Sequence, residues 1–582
     1  MDSRILQLAG KDLRFDREFL SLIKPLVFIY ALKKANVSYP LFLEGMSKPT
    51  VYLETLYQFV EESLGAIEKA CGKKLTDLVK QCLDNYEVIG EQYSDMGGIL
   101  TQFNSFTPEH IEAFFTSGSF ASTDRYTEAS PATLNELIIK LLSNGKQQKW
   151  LDMGCGFGSF LVQLAKTVPG VECYGIDVNA NCAIISQILL YFTNANYHIK
   201  QDNVLFSKFD EFVDVAYGNL PFLTRLSKNS DEYNNCNKYV GDLRAIQNAD
   251  WMFADRLIQA TKDRCVIVLS EASLMNNIDA EQRKNVVEKN LIEGVIKLPS
   301  SLFMNFSIPV TLVIFNKHKN TDKIKFMDAT EMRKVGRRLS ELKVDEIVNA
   351  YQNDQGTLLV GIDTVAQNDY SLQAKKYIDM NKLVLKNETV LETLVDEIFR
   401  GAQIPASVID ENSNIAKGEQ TYKLISVGDI QNGTFEIGEL QTIKDNGKYE
   451  RYLLREGDVL LSAKGTKIKT AVVDDLQNQK IVATGSILVI RCNGEKLNPA
   501  YLKAFFDSRN GAILLNSIQT GTLIISINAS AIAKMKISLL DKTAQDQIAD
   551  NYNATLRAYR ETKTTLARLE RSLSSVFDDY TE

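Results

Sequence analysis

Three groups of residues between Leu151 and Phe222 have the types and spacing of a chemical site. Gly154, Gly156 and Gly158 alternate within LDMGCGFGSFL, where the missing Cβ atoms let a backbone turn approach a bound molecule closely. Asp152 precedes that turn, Asp177 ends the segment VECYGID, and Asp202 ends YHIKQD, so each acid belongs to a β-rich run. Asn219-Leu220-Pro221-Phe222 follows VDVAYG and offers an amide, a backbone carbonyl, a stiff proline and a ring face side by side. A glycine turn with an acid after the second strand holds cofactors beyond the carboxyl ends of a parallel sheet, a pattern that dinucleotide enzymes share.

The elements that must position these groups alternate. An apolar, helix-compatible run covers 160–165, another helical run lies between Asp177 and YHIKQD, and 249–261 reads as a third helix. CVIVLS (265–270), GVIKLP (294–299) and VTLVIFNK (310–317) add three β-rich runs. This order predicts an α/β fold, an open and mostly parallel sheet of Rossmann type. Ahead of it, residues 1–118 carry apolar positions at three- and four-residue spacing and predict a helical domain, packed on the next domain or acting as a clamp. Phe120–Ser143 holds an extended Tyr126-Thr127 segment and Pro131 at a helix start. The asparagine-rich stretch after Phe222 is either a mobile loop beside the site or a plain surface excursion.

Beyond residue 380 the pattern changes. Lys386–Arg400 predicts a helix with Val390, Leu394 and Ile398 on one face and Gly401 as its stop, and 403–420 a linker. From Tyr422 the chain is β-rich. The last segment, 545–580, sets Ile548, Tyr552, Leu556, Tyr559, Leu566, Leu569, Leu573 and Val576 at mostly three- and four-residue steps, a helical seam that needs a partner. Either the 386–400 helix or a second molecule would cover it. The expected domains are 1–118, 119–380, a helix and linker at 381–420, 421–544, and a terminal helix at 545–582.

Composition excludes several classes. The 582 residues carry a net charge of −7, so no global basic field announces nucleic acid, although local patches can still contact phosphates. Eight cysteines without a CxxC pair and three histidines argue against zinc or a disulfide framework and for a reducing cytosol. No metal is expected. The N-terminus lacks a signal-peptide apolar core, and the most apolar early run is too short to span a bilayer.

Strand, glycine turn, an acid after the second strand, an acid after the third and Asn-x-Pro-Phe after the fourth together resemble an S-adenosylmethionine-dependent N6-adenine methyltransferase of the gamma class. The segments LIEGVIKLPSSLFMNFSIPVTLVIFNKHK, KIKFMDAT and NDYSLQAKKYID are similar to modification subunits of type I restriction systems, which also carry an N-terminal helical domain. Gly457-Asp458-Val459-Leu460-Leu461-Ser462, Lys464-Gly465-Thr466, Asn498-Pro499-x-Tyr501-Leu502, Gly521-Thr522, Ile527-Asn528 and Gln545-x-Gln547-Ile548 resemble the target-recognition domain of a type I specificity subunit. Such subunits have two recognition domains and two long helices. Here there is one of each, as in half a specificity subunit fused behind a modification subunit.

The resemblance implies roles. Asp177 would hold the ribose hydroxyls of S-adenosylmethionine, Asp202 its adenine amino group, and Asp152 its methionine end. Tyr126, Thr127, Gly154, Gly156, Gly158 and Phe160 would complete the cofactor site. Asn219 and the Leu220 carbonyl would accept hydrogen bonds from the target adenine N6, Pro221 would stiffen the turn, and Phe222 would stack on the flipped base. Double-stranded DNA would be the substrate, with Arg451, Arg455, Lys464, Lys467 and Lys469 as phosphate contacts. A homodimer through the C-terminal helix would assemble two half-specificities, and any cleavage would come from a separate restriction subunit. Most DNA enzymes of the class have proline where this chain has Leu220, whereas ribosomal-RNA adenine dimethylases use leucine or isoleucine. An adenine-N6 RNA methyltransferase, or a catalytically silent DNA-binding component of a defence complex, are therefore the alternatives.

Overall fold

The computed structural model describes residues 17–37, 49–84, 106–116, 130–145, 148–207, 209, 212–222, 224, 249–303, 309–336, 339–405, 408, 420–445, 447–465, 467–519 and 525–575. Two compact units, Met1–Ile378 and Asp379–Glu582, divide the chain.

The first unit is built on strands β1 (Lys149–Met153), β2 (Glu172–Asp177), β3 (Asn196–Gln201), β4 (Val213–Gly218), β5 (Thr261–Ser270), β6 (Ile292–Lys297), β7 (Val310–Asn316) and β8 (Lys323–Asp328). A short hairpin, β9 (Arg333–Val335) and β10 (Ser340–Leu342), precedes β11 (Thr357–Gly361). The nine-stranded sheet runs β11-β8-β6-β7-β5-β4-β1-β2-β3. Strands β1 to β5 are mutually parallel, and β7 is antiparallel to both β5 and β6. The order reverses at β1, whose neighbours are β2 and β4. That reversal opens a crevice at the carboxyl ends of β1 and β4, where open α/β sheets bind ligands.

The central strands β4 to β7 read as largely apolar runs because both sheet faces are covered there, whereas the edge strand β3 is polar and mostly exposed. β4 and β7 are almost wholly buried. The helix Asp250–Ala260 is buried along its whole length, and Trp251 donates its indole N–H to the Ser273 carbonyl (3.1 Å). The helices Arg17–Lys34, Pro49–Cys71, Lys73–Asp84 and Pro108–Thr116 form the helical region expected ahead of the sheet. Ile23 to Leu32, Phe114 and Phe115 share one buried cluster with Leu134 to Leu142 and Phe160. Glu112 accepts hydrogen bonds from Tyr30 and from Lys166, so a carboxylate also ties these helices to the helix Ser159–Thr167.

The second unit overturns one expectation. Residues 386–400 form no helix: Glu388–Val390 is a strand, Leu391–Leu394 a 3-10 turn, and Val395–Arg400 a strand. Val395–Arg400 pairs antiparallel with Ile487–Cys492, the centre of a four-stranded sheet completed by Asp458–Ser462 and Thr470–Val472. A gain in sheet pairing outbids a helical spacing of apolar residues, and Leu391 and Leu394 are buried by the 3-10 turn instead. A second sheet joins Gln441–Lys444, Thr421–Ile425 and Ile481–Ala483.

The motif residues of this unit hold its parts together. Asn498 caps the helix Pro499–Asp507, accepting from the Ala500 and Tyr501 amides, with Pro499 in the first turn. Gln545 accepts from the Asn498 amide (2.9 Å) and donates to the Lys496 and Leu540 carbonyls. The terminal helix therefore starts from a fixed point. It spans Lys542–Ser575, 34 residues, and is about 50 Å long. Its first half packs through Ala549 and Tyr552 on the helix Pro499–Asp507, where Lys503 bonds both Tyr552 and Asp507. Past Lys563, which bonds Asn432, Leu566, Leu569 and Leu573 are 54%, 53% and 76% exposed. Val576 lies outside the described residues.

Candidate active site

Three strand ends meet at the crevice. Met153 of β1 lies opposite Ile176 of β2 and Gly218 of β4, which aligns the glycine turn, Asp177 and Asn219 at one edge. The turn is drawn onto β2 because the Gly154 and Cys155 amides both donate to the Ile176 carbonyl (2.8 and 3.0 Å). Gly154, Gly156 and Gly158 all have positive φ (74°, 52° and 81°), backbone that side chains other than glycine seldom adopt. A Cβ on Gly158 would lie 2.9 Å from the Ser186 Cβ, so glycine here also permits close helix packing.

Asp177 completes the turn electrostatically. One carboxylate oxygen accepts from the Gly156 amide and the other from the Asn179 amide, both at 2.8 Å. Burial pushes its carboxyl up, while these two hydrogen bonds pull it down. Asn179 in turn caps the helix Ala180–Tyr191. Asp152 is 3% exposed, and burial first, then the nearby Asp177 charge, raise its carboxyl well above the usual range. Two acids in one buried corner favour a cationic partner, since positive charge would relieve both penalties.

Asp202 is tied to the same edge, its amide donating to the Asp177 carbonyl (2.9 Å). Its burial disfavours the charge, but hydrogen bonds from Lys200, Ser207 and the Asn203 amide outweigh this and hold its pKa below the usual carboxylate range. Beside these acids two apolar side chains face outward, Val178 at 68% and Phe206 at 44% exposure. The buried Arg256 donates to the Val204 carbonyl (3.1 Å) and lies over the Phe209 ring, bracing the segment after Asp202.

Asn219 is half-buried, and its Nδ2 donates to Ser130 Oγ (2.9 Å), which shares a 2.7 Å hydrogen bond with Tyr217 Oη. Leu220 turns inward, 8% exposed, so close to the glycine turn that a Cβ on Gly154 would meet its Cδ2 at 2.8 Å. Leu220 thus packs the Asn219 turn onto the glycine turn. The Pro221 carbonyl accepts from Thr224 Oγ1 (3.0 Å), and the Thr224 carbonyl accepts from the Ala249 amide at the start of the Asp250–Ala260 helix. Phe222 meets Phe303 edge to face, ring centroids 6.5 Å apart.

The structure thus brings together Asp152, Gly154, Gly156, Gly158, Asp177, Asp202 and Asn219–Phe222. Phe160, expected at the cofactor, is instead 1% exposed and packed 4.4 Å from the Tyr217 ring and 6.1 Å from Trp150, beneath the turn. Tyr126 and Thr127 lie outside the described residues. Sequence reasoning missed Ser130, Tyr217, Thr224 and Phe303. For Ser130 a signal existed, a hydroxyl residue directly before Pro131 at the helix start. Of the five basic residues expected at phosphates, Lys469 is spent on the Val427 and Ile430 carbonyls (3.0 and 2.7 Å), while Arg451 stacks on Tyr452. Arg455, Lys464 and Lys467 are exposed or partly so.

The chain is similar to known proteins at the levels of family, sequence and fold. Residues 119–384 match the family model "N-6 DNA Methylase". A type I restriction enzyme MjaVII methylase subunit from Methanocaldococcus jannaschii is 26% identical over 326 residues, covering 50% of this chain and 53% of that protein. The MpnII methylase subunit from Mycoplasma pneumoniae is 25% identical over 308 residues, 46% of this chain and 56% of that one. The chain thus spans about half the length of these curated relatives. Among solved structures, the type IIG restriction endonuclease BpuSI has a TM-score of 0.50 at 11% identity, covering 94% of this chain and 74% of its own, a likeness of fold. Among the described residues no helix is long and apolar enough to cross a membrane. The match to the N-6 DNA methylase family model thus covers the strands, the glycine turn and the Asn-x-Pro-Phe corner described above.

Proposed function

We propose that this protein methylates N6 of a flipped-out adenine in duplex DNA, at sites selected by the Asp379–Glu582 unit, as the modification component of a restriction-modification system in the cytoplasm. The observation that carries it is the position of Asn219, at the β4 carboxyl end and locked through Leu220 onto the glycine turn. A target held at Asn219 and a cofactor held by the turn are then neighbours.

When bound, S-adenosylmethionine supplies an electrophilic methyl group on a sulfonium. The chain's own residues do the rest. The glycine turn admits the cofactor backbone, Asp177 has lone pairs left for two hydroxyls, and the Asp152–Asp177 corner suits its cationic end. Asn219 Oδ1 and the Leu220 carbonyl accept from the adenine amino group and aim its nitrogen, so catalysis rests on positioning and electrostatics. Flipping the base costs a few kcal/mol, offset by stacking on Phe222, which Phe303 supports.

The direct test uses labelled S-adenosylmethionine and duplex DNA from a methylation-free host, with modified-base sequencing. N6-methyladenine in one recurring split motif is the expected result. Transfer to RNA alone, or none to any nucleic acid, would refute the assignment.

Asp152 makes cofactor affinity pH-dependent. Its raised carboxyl stays protonated to higher pH than an ordinary aspartate, and only the carboxylate attracts a cation. Affinity is therefore expected to rise with pH through that raised value, with proton release on binding. Titration calorimetry in two buffers of different ionisation enthalpy measures the release, and Asp152→Asn should reduce it, leaving any share of the neighbouring Asp177, whose carboxyl burial also raises.

The second unit acts in this reading as half a specificity module that pairs through its terminal helix. Leu566, Leu569 and Leu573 continue the spacing of Tyr552 and Tyr559 beyond the part of the helix bound to its own unit. Cutting the chain after Lys563 leaves the packed half in place and is expected to give a monomer with weakened specific binding. An unchanged mass by light scattering would refute the pairing.

A further inference from the structure

We infer that Ser130 and Tyr217 form a positioning device that sets which way the Asn219 amide faces. The inference rests on the catalytic reading of Asn219. An asparagine amide has two ends of similar shape and opposite hydrogen-bonding sense. Only Oδ1 can accept from an adenine amino group; an amide turned the other way would present N–H to N–H and repel the substrate. In this structure Nδ2 is committed to Ser130 Oγ at 2.9 Å, which leaves Oδ1 for the target.

A serine hydroxyl can accept or donate, so Ser130 alone does not fix the amide. Tyr217 offers the Ser130 proton an acceptor away from Asn219. The two hydroxyl oxygens lie 2.7 Å apart and either can donate; with the Ser130 proton directed at Tyr217, only lone pairs face Asn219. Both members are built to stay put. Ser130 is 7% exposed and Tyr217 1%, and the Tyr217 ring packs against the tilted Phe160 ring, centroids 4.4 Å apart. Burial also holds the Tyr217 phenol well above its usual range, keeping it protonated. Ser130 precedes the helix Ala132–Leu142, and Tyr217 sits on β4 two residues before Asn219. The device therefore joins a segment ahead of the glycine turn to the strand that delivers the catalytic corner.

The test compares Ser130→Ala, Ser130→Thr and Tyr217→Phe in the full chain, by single-turnover methyl transfer to duplex DNA, with cofactor and DNA affinities and melting temperatures alongside. Ser130→Ala and Tyr217→Phe are expected to slow the chemical step about tenfold to a hundredfold with affinities changed less than about threefold. Ser130→Thr, which keeps the hydroxyl, should restore most of the rate. In an Asn219→Ala background, Ser130→Ala should add nothing, because the amide it orients is gone. Transfer within about threefold of the parent in both Ser130→Ala and Tyr217→Phe, or equal losses with and without Asn219, would overturn the inference. Undiminished transfer by Asn219→Ala alone would instead remove the catalytic reading beneath it.

Discussion

Asn219→Ala is expected to abolish most methyl transfer while cofactor and DNA binding persist. The side chain contributes one oriented acceptor at the reacting nitrogen, and removing one such preorganised group costs about 100- to 1,000-fold in rate, or roughly 3–4 kcal/mol. Its loss should appear in kcat, since the acceptor matters most as the amino nitrogen leaves its planar, delocalised state. The surrounding turn should survive. Thr224 holds the Pro221 carbonyl, and Leu220 stays packed at the glycine turn. Asn219→Asp is informative beside it: an acceptor remains, but the Nδ2 donor to Ser130 is gone and a charge is added. Single-turnover transfer and equilibrium DNA binding measured on the same preparations decide the matter. Transfer at more than about a tenth of the parental rate in Asn219→Ala would sink the assigned role.

The second large effect is expected from Asp177→Ala, and it falls on cofactor binding. Asp177 serves two purposes at once. It accepts from the Gly156 and Asn179 amides, fixing the glycine turn and the entry to the next helix, and it keeps lone pairs for the cofactor hydroxyls. Alanine leaves two backbone donors without their acceptor, about 1–3 kcal/mol each where water cannot replace it. The expected outcome is a cofactor affinity lower by about 100-fold or more, with a lower melting temperature. Asp177→Asn, which can still accept at one oxygen, should lie between. Calorimetric titration with S-adenosylmethionine and thermal melting check both parts. Parental affinity in Asp177→Ala would show that the cofactor does not use this acid.

The terminal helix and the 386–400 segment show opposite limits of reading from local pattern. The helix beginning near Gln545 was legible because its apolar spacing runs for many turns, longer than chance supports, although its first half proves to be packed on the helix Pro499–Asp507. Lys386–Arg400 carries a helical spacing over only four turns' length. It becomes strand because Ile487–Cys492, nearly ninety residues away, offers a complete set of backbone partners.

The sequence by itself determined the order of elements, the glycine turn, the acids closing β1, β2 and β3, and the Asn-x-Pro-Phe corner. These follow from local requirements: alternating element patterns, positive φ that favours glycine, and acids at strand ends. Only the tertiary structure decided what those groups touch. It put Leu220 against Gly154, buried Phe160 under the turn, spent Lys469 on two carbonyls, and brought Ser130 to Asn219 across 89 residues of chain. Such contacts depend on strand order and register, which arise when the nine-stranded sheet assembles as a whole. No local spacing encodes them.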